Sequence, residues 1–351
     1  MDHGIALDPD WPRMSLAEVN ACLTAPGERF EMEEIEIRGV PTRVWKNAPP
    51  SLPMLARFSR FHGERLLTVF EDERVGFEAS FRAAAALAAE LQRLGIGKGD
   101  RVALAMANLP EWPVAFFAIT ALGAIAVPLN TWWSGDELEY GLADSGAKLL
   151  ICDSARDRKV ASHRDALPDL GQVLVSAPHP HSGTSCLEDV MGPPGTWDTL
   201  PNADFPAADI QSDDDAAILY TSGTTGRPKG ALITHRNFMT NILSSGFATA
   251  RAALRRGEVP PAPEPRVSLI VIPLFHATAL SAVLMGTMVA GHTLVYMRKW
   301  DPLEALRIIE TERVNLTGGV PTVAWQILEH PERGRFDLSS LETISYGGAP
   351  S

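Results

Sequence analysis

The residues with the clearest capacity for chemistry lie in one run of ten, Thr221-Ser222-Gly223-Thr224-Thr225-Gly226-Arg227-Pro228-Lys229-Gly230, which holds three glycines, four hydroxyl side chains and two cations. Glycine lets a backbone bend tightly and approach a ligand without Cβ clashes. Consecutive N–H groups in such a turn form a concavity that binds anions. Hydroxyl donors and a lysine point charge extend that concavity. The run therefore predicts a binding site for a polyphosphate.

Two well-known glycine-containing motifs do not fit this run. The phosphate loop of many nucleotide hydrolases needs G-x-x-x-x-G-K-[ST], whereas Gly223 and Gly226 are three residues apart and Lys229 precedes a glycine. The nucleophile elbow G-x-S-x-G would need a glycine in place of Tyr220. Composition alone leaves one alternative open, an ordinary Gly/Ser/Thr loop between two elements.

The elements around the run determine where it can lie. The apolar residues 216–220 predict a buried strand before it, and a helix is predicted from Thr234, which we expect to cap it. Elsewhere helices alternate with near-continuous apolar strands, which is typical of parallel sheets covered by helices on both faces. The sequence predicts helices at 16–23, 80–94, 110–122, 134–144, 234–254, 279–290, 302–313 and 322–329, and strands at 101–106, 124–129, 148–152, 267–272, 292–297, 314–317 and 342–346.

Bulk properties narrow the class of partner. The chain has 351 residues, a hydrophobic share of 45% and a formal net charge of −12. That charge argues against nucleic acid or an anionic membrane as the main partner, and the longest apolar run, 114–127, is too short for a membrane span. Three widely spaced cysteines indicate a reducing compartment. We therefore expect a cytoplasmic protein with a small-molecule substrate. The sequence leaves open whether the protein forms a homo-oligomer.

The run also carries a family resemblance. Residues 218–238, ILYTSGTTGRPKGALITHRNF, resemble almost letter for letter the signature of the adenylate-forming superfamily, which includes acyl-CoA synthetases, firefly-type luciferases and peptide-synthetase adenylation domains. Residues 94–153, 273–276 (PLFH), 318–322 and 347–350 are similar to further blocks of that family. The resemblance implies the large α/β N-terminal domain of acyl-adenylating enzymes, with parallel sheets layered with helices.

The resemblance also implies an activity, namely ATP-dependent activation of a carboxylic acid to an acyl-adenylate and transfer to coenzyme A, with Mg²⁺. Catalytic roles fall on Lys229 and His276, and the metal contact on Thr225. The implied phosphate contacts are Thr221, Ser222, Gly223, Thr224, Thr225, Gly226 and Lys229, the implied adenine contacts are Gly347, Gly348, Ala349 and Pro350, and the implied acid pocket is His276, Ala277, Gly318, Gly319 and Val320.

Several roles have alternatives. His276 could instead be a satisfied core histidine, His235 is expected to pack, and Arg227 is favoured as an exposed loop residue over a ligand. Peptide-synthetase adenylation domains hold the substrate ammonium with an aspartate, but residues 275–280 contain no acid. An unpaired buried ammonium would be costly, so we expect an acid without an α-amine. A fatty acid is favoured, with an aryl acid as the alternative.

The resemblance implies a domain organisation with a departure at its end. We expect an N-terminal extension at 1–60, a first α/β subdomain at 61–215 and a second at 216–351 that is incomplete at its C-terminus. Family members continue into a small C-terminal domain with a catalytic lysine, and this chain ends at Ser351. A truncated large domain of an acyl-CoA synthetase, not fully active alone, is therefore expected. The alternative from another class is a non-catalytic nucleotide-binding or interaction fragment.

Overall fold

A computed structural model describes residues 12–176, 183–221, 226–260, 262 and 264–347. The strands are β1 (Met32–Ile37), β2 (Val40–Trp45), β3 (Leu66–Phe70), β4 (Glu73–Gly76), β5 (Arg101–Ala105), β6 (Ile125–Pro128), β7 (Leu149–Asp153), β8 (Gln172–Ser176), β9 (Ser185–Cys186), β10 (Asp215–Thr221), β11 (Lys229–Thr234), β12 (Val267–Ile270), β13 (Thr293–Tyr296), β14 (Leu316–Gly319) and β15 (Thr343–Tyr346).

Helices follow most of these strands. The α-helices are α1 (Leu16–Leu23), α2 (Leu52–Ser59), α3 (Phe77–Arg93), α4 (Glu111–Ala121), α5 (Gly135–Ser145), α6 (Ser154–Val160), α7 (Glu188–Met191), α8 (His235–Arg255), α9 (Met285–Ala290), α10 (Pro302–Thr311) and α11 (Pro321–Leu328). Short 3₁₀ turns span Arg60–His62, Ala161–Ala166, Pro194–Thr199 and Arg333–Arg335.

The described strands form three sheets. A seven-stranded sheet has the order β11-β10-β6-β5-β7-β8-β9, a six-stranded sheet has the order β15-β14-β12-β13-β3-β4, and β1 and β2 form a hairpin. Within the two large sheets only the pairs β10–β11 and β3–β4 are antiparallel. The predicted α/β class with parallel sheets and covering helices is confirmed.

The main hydrophobic core lies where the two large sheets and their helices meet. One cluster joins Leu104 of the seven-stranded sheet, Leu294 of the six-stranded sheet and side chains of α3 and α4. Every residue of α4 is buried, because apolar side chains surround this helix on all faces. This core fixes the two sheets relative to each other, so groups at their strand ends have defined positions.

Several predicted boundaries need correction. The helix predicted at 279–290 is π-helical over Thr278–Leu284 and α-helical only from Met285. The passage 177–215, where the sequence predicts neither a helix nor a strand, contains β9 and α7 within its described part. Strand pairing also crosses the predicted 215/216 boundary, since β10 and β11 belong to the sheet of β5 to β9. That division into subdomains stays a prediction.

Capping chemistry explains why two site-flanking helices begin where they do. Thr234 caps α8 as predicted, and its hydroxyl oxygen accepts a hydrogen bond from the Asn237 backbone N–H. In turn, Oδ1 of Asn237 accepts a hydrogen bond from the Thr234 backbone N–H, which completes a capping box. Asp301 caps α10 ahead of Pro302, and the helix begins at the residue that the sequence predicts. No helix among the described residues combines the length and the apolarity that a bilayer crossing requires.

Candidate active site

The glycine-rich run connects the two strands of a hairpin. Thr221 ends β10, Lys229 begins β11, and the two residues face each other as the last pair of this antiparallel ladder. The sequence predicts a helix directly after the run, so β11 is an element that it missed. Gly226 has a φ of +94°, a left-handed conformation that a residue with Cβ rarely adopts. Residues Ser222, Gly223, Thr224 and Thr225 lie outside the described residues.

The last glycine of the run serves the hairpin. Gly230 pairs with Tyr220 in the ladder. A Cβ at position 230 would lie 2.6 Å from Cγ2 of Ile218. Any larger residue would therefore push β11 off β10. This glycine has a packing reason that is independent of any ligand.

A second group of glycines meets at the ends of two parallel strands. Gly318 and Gly319 end β14 beside Ser345 and Tyr346 of β15, and the Gly347 N–H donates to the Gly319 carbonyl at 3.1 Å. A Cβ at Gly318 would lie 2.5 Å from the Ser345 carbonyl oxygen. The structure thus brings three predicted site residues together. Val320 follows and is 44% exposed, while Gly348, Ala349 and Pro350 lie outside the described residues.

Asn108 connects the two halves of the site. It lies just after β5, and its Nδ2 donates to the Ile272 carbonyl at 3.1 Å while its Oδ1 accepts from the Leu274 N–H at 2.8 Å. These bonds hold the segment after β12 against the carboxyl end of the seven-stranded sheet. Ligands of open α/β sheets bind at that edge. Sequence reasoning missed Asn108, although its place after a buried strand was a usable signal.

Trp132 makes a second connection. This residue follows β6, is 72% exposed, and meets the Phe275 ring edge to face with centroids 5.7 Å apart. His276 comes next in the chain. Because β10 runs parallel to β6, the run that starts at Thr221 leaves the sheet at the same edge as Trp132. The sequence did not single out Trp132 either.

The two histidines near the site differ in environment. His276 is exposed beside exposed Ala277, and its Nδ1 accepts from the Thr278 N–H at 3.2 Å, so the core-histidine alternative is wrong. His235 is fully buried, as its predicted packing role requires, and its Nδ1 accepts from the Leu52 N–H. Burial lowers the pKa of His235 to about 4. Of these two histidines, His276 is the one whose side chain is exposed.

The described residues contain no cluster of three or more His, Cys, Asp or Glu side chains that could hold a metal ion. This does not conflict with Mg²⁺, because that ion usually keeps its waters and binds through substrate phosphates with one or two protein ligands. Lys229 is exposed and forms no ion pair with any described residue. Its charge is therefore available to an anion at the mouth of the run.

The comparison with known protein families decides the identity. A family described as AMP-binding enzyme matches residues 55–351. The chain belongs to this family. Among curated relatives, feruloyl-CoA synthase of Amycolatopsis sp is 36% identical over 269 residues, which are 77% of this chain and 48% of that protein. A long-chain-fatty-acid–CoA ligase, FadD13 of Mycobacterium tuberculosis, is 33% identical over 262 residues, which are 74% of this chain and 47% of that protein.

Solved structures agree with the AMP-binding enzyme assignment. An inhibitor-bound N-terminal domain of FACL13 from Mycobacterium tuberculosis aligns with a TM-score of 0.68 at 27% identity, covering 86% of this chain and 71% of that chain. The anthranilate CoA ligase AuaEII, in complex with anthranoyl-AMP, shares the fold with a TM-score of 0.74 at 24% identity. The alignment covers 85% of this chain and 55% of that chain. The chain spans about half the length of the curated relatives it matches.

Proposed function

We propose that this chain binds ATP and a carboxylic acid, and that it belongs to a protein that joins them into an acyl-adenylate and transfers the acyl group to coenzyme A. One observation carries the proposal. The glycine-rich run leaves the seven-stranded sheet at the edge where Asn108 and Trp132 hold the segment that bears His276. A polyphosphate site and an acid site are then neighbours. The family match and the CoA-ligase names of the relatives support the same reaction.

The proposed chemistry assigns the run to the leaving group. The acid carboxylate attacks the α-phosphorus of ATP, pyrophosphate departs, and negative charge develops on the departing oxygens. Thr221, Gly226 and Lys229, with residues 222–225 between them, would contact the β- and γ-phosphates. Donors and a cation placed in advance stabilise that charge more than they stabilise bound ATP. Mg²⁺, held through Thr225 in this proposal, would supply further neutralising charge.

The second cluster is assigned to the adenine and the acid. Gly347, with Gly348, Ala349 and Pro350, is proposed to contact the adenine, because glycine lets a base approach the backbone closely. Apart from its chain neighbours, no described residue has a heavy atom within 4 Å of a Cβ built at Gly347. The acid is proposed to lie near His276, and Ala277, Gly318, Gly319 and Val320 are the further residues proposed to border it.

The acid is proposed to lack an α-amine, since residues 275–280 offer no carboxylate to an ammonium. A fatty acid is the first candidate, and relatives named as long-chain-fatty-acid–CoA ligases support it. An aryl acid is the second candidate. The aromatic pair of Trp132 and Phe275 next to His276 favours it, as do relatives named feruloyl-CoA synthase and 4-coumarate–CoA ligase.

The proposal is tested by ATP–pyrophosphate exchange with the whole protein to which this chain belongs and a panel of palmitate, ferulate, 4-coumarate and phenylalanine. We expect exchange with a fatty or an aryl acid and background rates with phenylalanine. The preferred acid then decides between the two candidates. Exchange that requires the amino acid would contradict the proposal. Binding of Mg·ATP without exchange for any acid would favour the alternative function, a non-catalytic nucleotide-binding part of a protein.

A further inference from the structure

We infer that Tyr140 and Asp144 of α5 are positioning residues that fix both arms of the glycine-rich run, and thereby fix Thr221 and Lys229 for polyphosphate binding. The inference deepens the proposed function and rests on it. It assigns a role to α5, which lies outside both the glycine-rich run and the strands β10 and β11 that flank it. It rests on two hydrogen bonds between α5 and the hairpin, on the contact of Arg227 with the Tyr140 ring, and on the packing of Trp133 against Tyr220 and Gly141.

The outgoing arm of the run is held by Tyr140. The Tyr140 hydroxyl donates to the Pro228 carbonyl oxygen at 3.0 Å. Pro228 directly precedes Lys229, the first residue of β11. A proline carries no N–H of its own, so its carbonyl is the one backbone polar group with which it can hold this point. The bond fixes the backbone one residue from the lysine.

The incoming arm is held by Asp144. Tyr220 directly precedes Thr221, and its hydroxyl donates to Oδ2 of Asp144 at 2.6 Å, a length typical of a bond to a carboxylate. Burial, together with the Asp144 carboxylate, raises the pKa of Tyr220 well above its ordinary value, so this hydroxyl keeps its proton. Tyr140 and Asp144 are four residues apart on α5 and therefore share one helix face. One helix thus holds both arms.

Packing restricts the position of the Tyr220 ring. Trp133 meets the Tyr220 ring at 70° with centroids 5.6 Å apart. The same indole lies over Gly141, where a Cβ would approach Trp133 to 2.7 Å. The tyrosine is therefore enclosed between the indole and α5. A side chain at position 141 would displace the indole that packs against the Tyr220 ring.

Arg227 is attached to the same helix. Its guanidinium carbon lies 5.4 Å from the centroid of the Tyr140 ring, within the range of a cation–π contact. This agrees with the prediction that Arg227 is an exposed loop residue. It also means that Tyr140 contacts two consecutive residues, Arg227 and Pro228, through different parts of one side chain.

If Tyr140 and Asp144 only stabilised the fold, their loss would weaken the binding of Mg·ATP and of AMP by the same factor. AMP lacks the β- and γ-phosphates that the run is proposed to contact. Loss of the two hydroxyls in a Tyr140→Phe, Tyr220→Phe double variant should therefore weaken Mg·ATP by about tenfold and leave AMP within about twofold. Asp144→Ala should act like Tyr220→Phe, whereas Asp144→Asn, which keeps an acceptor oxygen, should restore most of the affinity.

The matched control is Tyr296→Phe. Tyr296 is buried in β13, and its hydroxyl has no partner among the described residues. The control should bind both nucleotides like the unaltered chain. Calorimetric titration of each 351-residue protein with Mg·ATP and with AMP gives two dissociation constants per protein. Hydrogen exchange of the β11 amides, measured without nucleotide, gives a readout of the hairpin that needs no ligand.

We expect β11 amides to exchange about tenfold faster in the double variant, with the β13 amides unchanged. The inference is overturned if β11 exchange stays at its original rate, or if Mg·ATP and AMP weaken by the same factor. An unaltered chain that binds no Mg·ATP would instead contradict the proposed function. In that case the exchange rates alone decide whether α5 positions the hairpin.

Discussion

Thr221 and Lys229 face each other across the open end of the β10–β11 hairpin, and the Thr221 hydroxyl lies 3.4 Å from the Lys229 carbonyl oxygen. The two ends of the glycine-rich run are thereby held one strand spacing apart. β11 is the edge of its sheet, so the Lys229 side chain extends from an exposed strand. A hydroxyl and a cation thus flank the place where a polyphosphate would enter.

In the whole protein to which this chain belongs, Lys229→Ala should slow adenylation far more than it weakens acid binding. In the proposed reaction the lysine stabilises charge that develops only as pyrophosphate leaves, so we expect a fall in rate of about 100-fold or more. The dissociation constant of the acid should stay within about twofold. Single-turnover kinetics and acid titrations measure the two quantities. Lys46→Ala is the control, since Lys46 pairs with Glu31 in the β1–β2 region. Equal losses in both quantities would place the lysine in ground-state binding.

His276→Ala should reduce kcat/KM for the acid while leaving the melting temperature within about 1 °C. The side chain is exposed and makes only a local bond to the Thr278 N–H, and surface substitutions of this kind cost little stability. His330→Ala is a close control, because His330 accepts an equivalent turn bond from the Glu332 N–H at 3.2 Å. A marked fall in melting temperature for His276→Ala alone would assign that histidine to packing.

Glu111→Gln should remove a loss of stability at high pH. Burial is the main cause that raises the pKa of Glu111 from 4.5 to about 7, and the carboxylates of Glu73 and Glu188 contribute in the same direction. The Ser176 hydroxyl, which donates to Oε1 of Glu111 at 3.0 Å, opposes this rise only in part. The folded state therefore retains a proton that the unfolded chain releases. Stability is fully present below pH 4.5 and falls as pH rises through 7, by up to about 3 kcal/mol.

Denaturant unfolding at about pH 5.5 and about pH 8.5, on either side of the raised pKa, tests this claim about Glu111. The stability of the Glu111→Gln variant relative to the unaltered chain should rise from the lower pH to the higher pH. Glu34→Gln, at an exposed position of β1, should change neither value. If the relative stability of Glu111→Gln does not rise between the two pH values, the claim of a buried, protonated carboxyl is contradicted.

Tyr296→Phe should leave the free energy of unfolding unchanged or raise it by about 1 kcal/mol. The Tyr296 hydroxyl is buried and without a partner among the described residues, so its removal ends a desolvation penalty. Tyr220→Phe removes a bonded hydroxyl and should lower that free energy by about 1–2 kcal/mol. The opposite ranking of the two variants, measured by urea unfolding, would show that Tyr296 has a hidden partner.

Local signals in the sequence predicted much of the fold. Thr234 and Asp301 combine a capping side chain with a following helical pattern, and both begin helices where expected. The π-helix at Thr278–Leu284 was predicted as ordinary α-helix because its cause is not local. The Asn241 side chain, from α8, donates to the Ser281 carbonyl at 2.9 Å, and this supports the widened turn.

The site itself was predictable only where a motif marks it. The glycine-rich run is visible from composition and order, whereas Asn108 acts through bonds to residues 164 and 166 positions away. Tyr140 and Asp144 look like ordinary residues of an amphipathic helix. Their role depends on the register of a hairpin that the sequence did not predict, so only the structure relates them to Lys229.

The proposed function requires that one site binds the acid and the nucleotide and joins them into an acyl-adenylate. Its most direct test is calorimetric titration with the stable sulfamoyl analogues of palmitoyl-AMP and feruloyl-AMP. One analogue should bind at least about 100-fold more tightly than AMP. Lys229→Ala should retain that affinity, because the analogue lacks the pyrophosphate that Lys229 is proposed to contact. Affinity no better than that of AMP for both analogues would contradict the account.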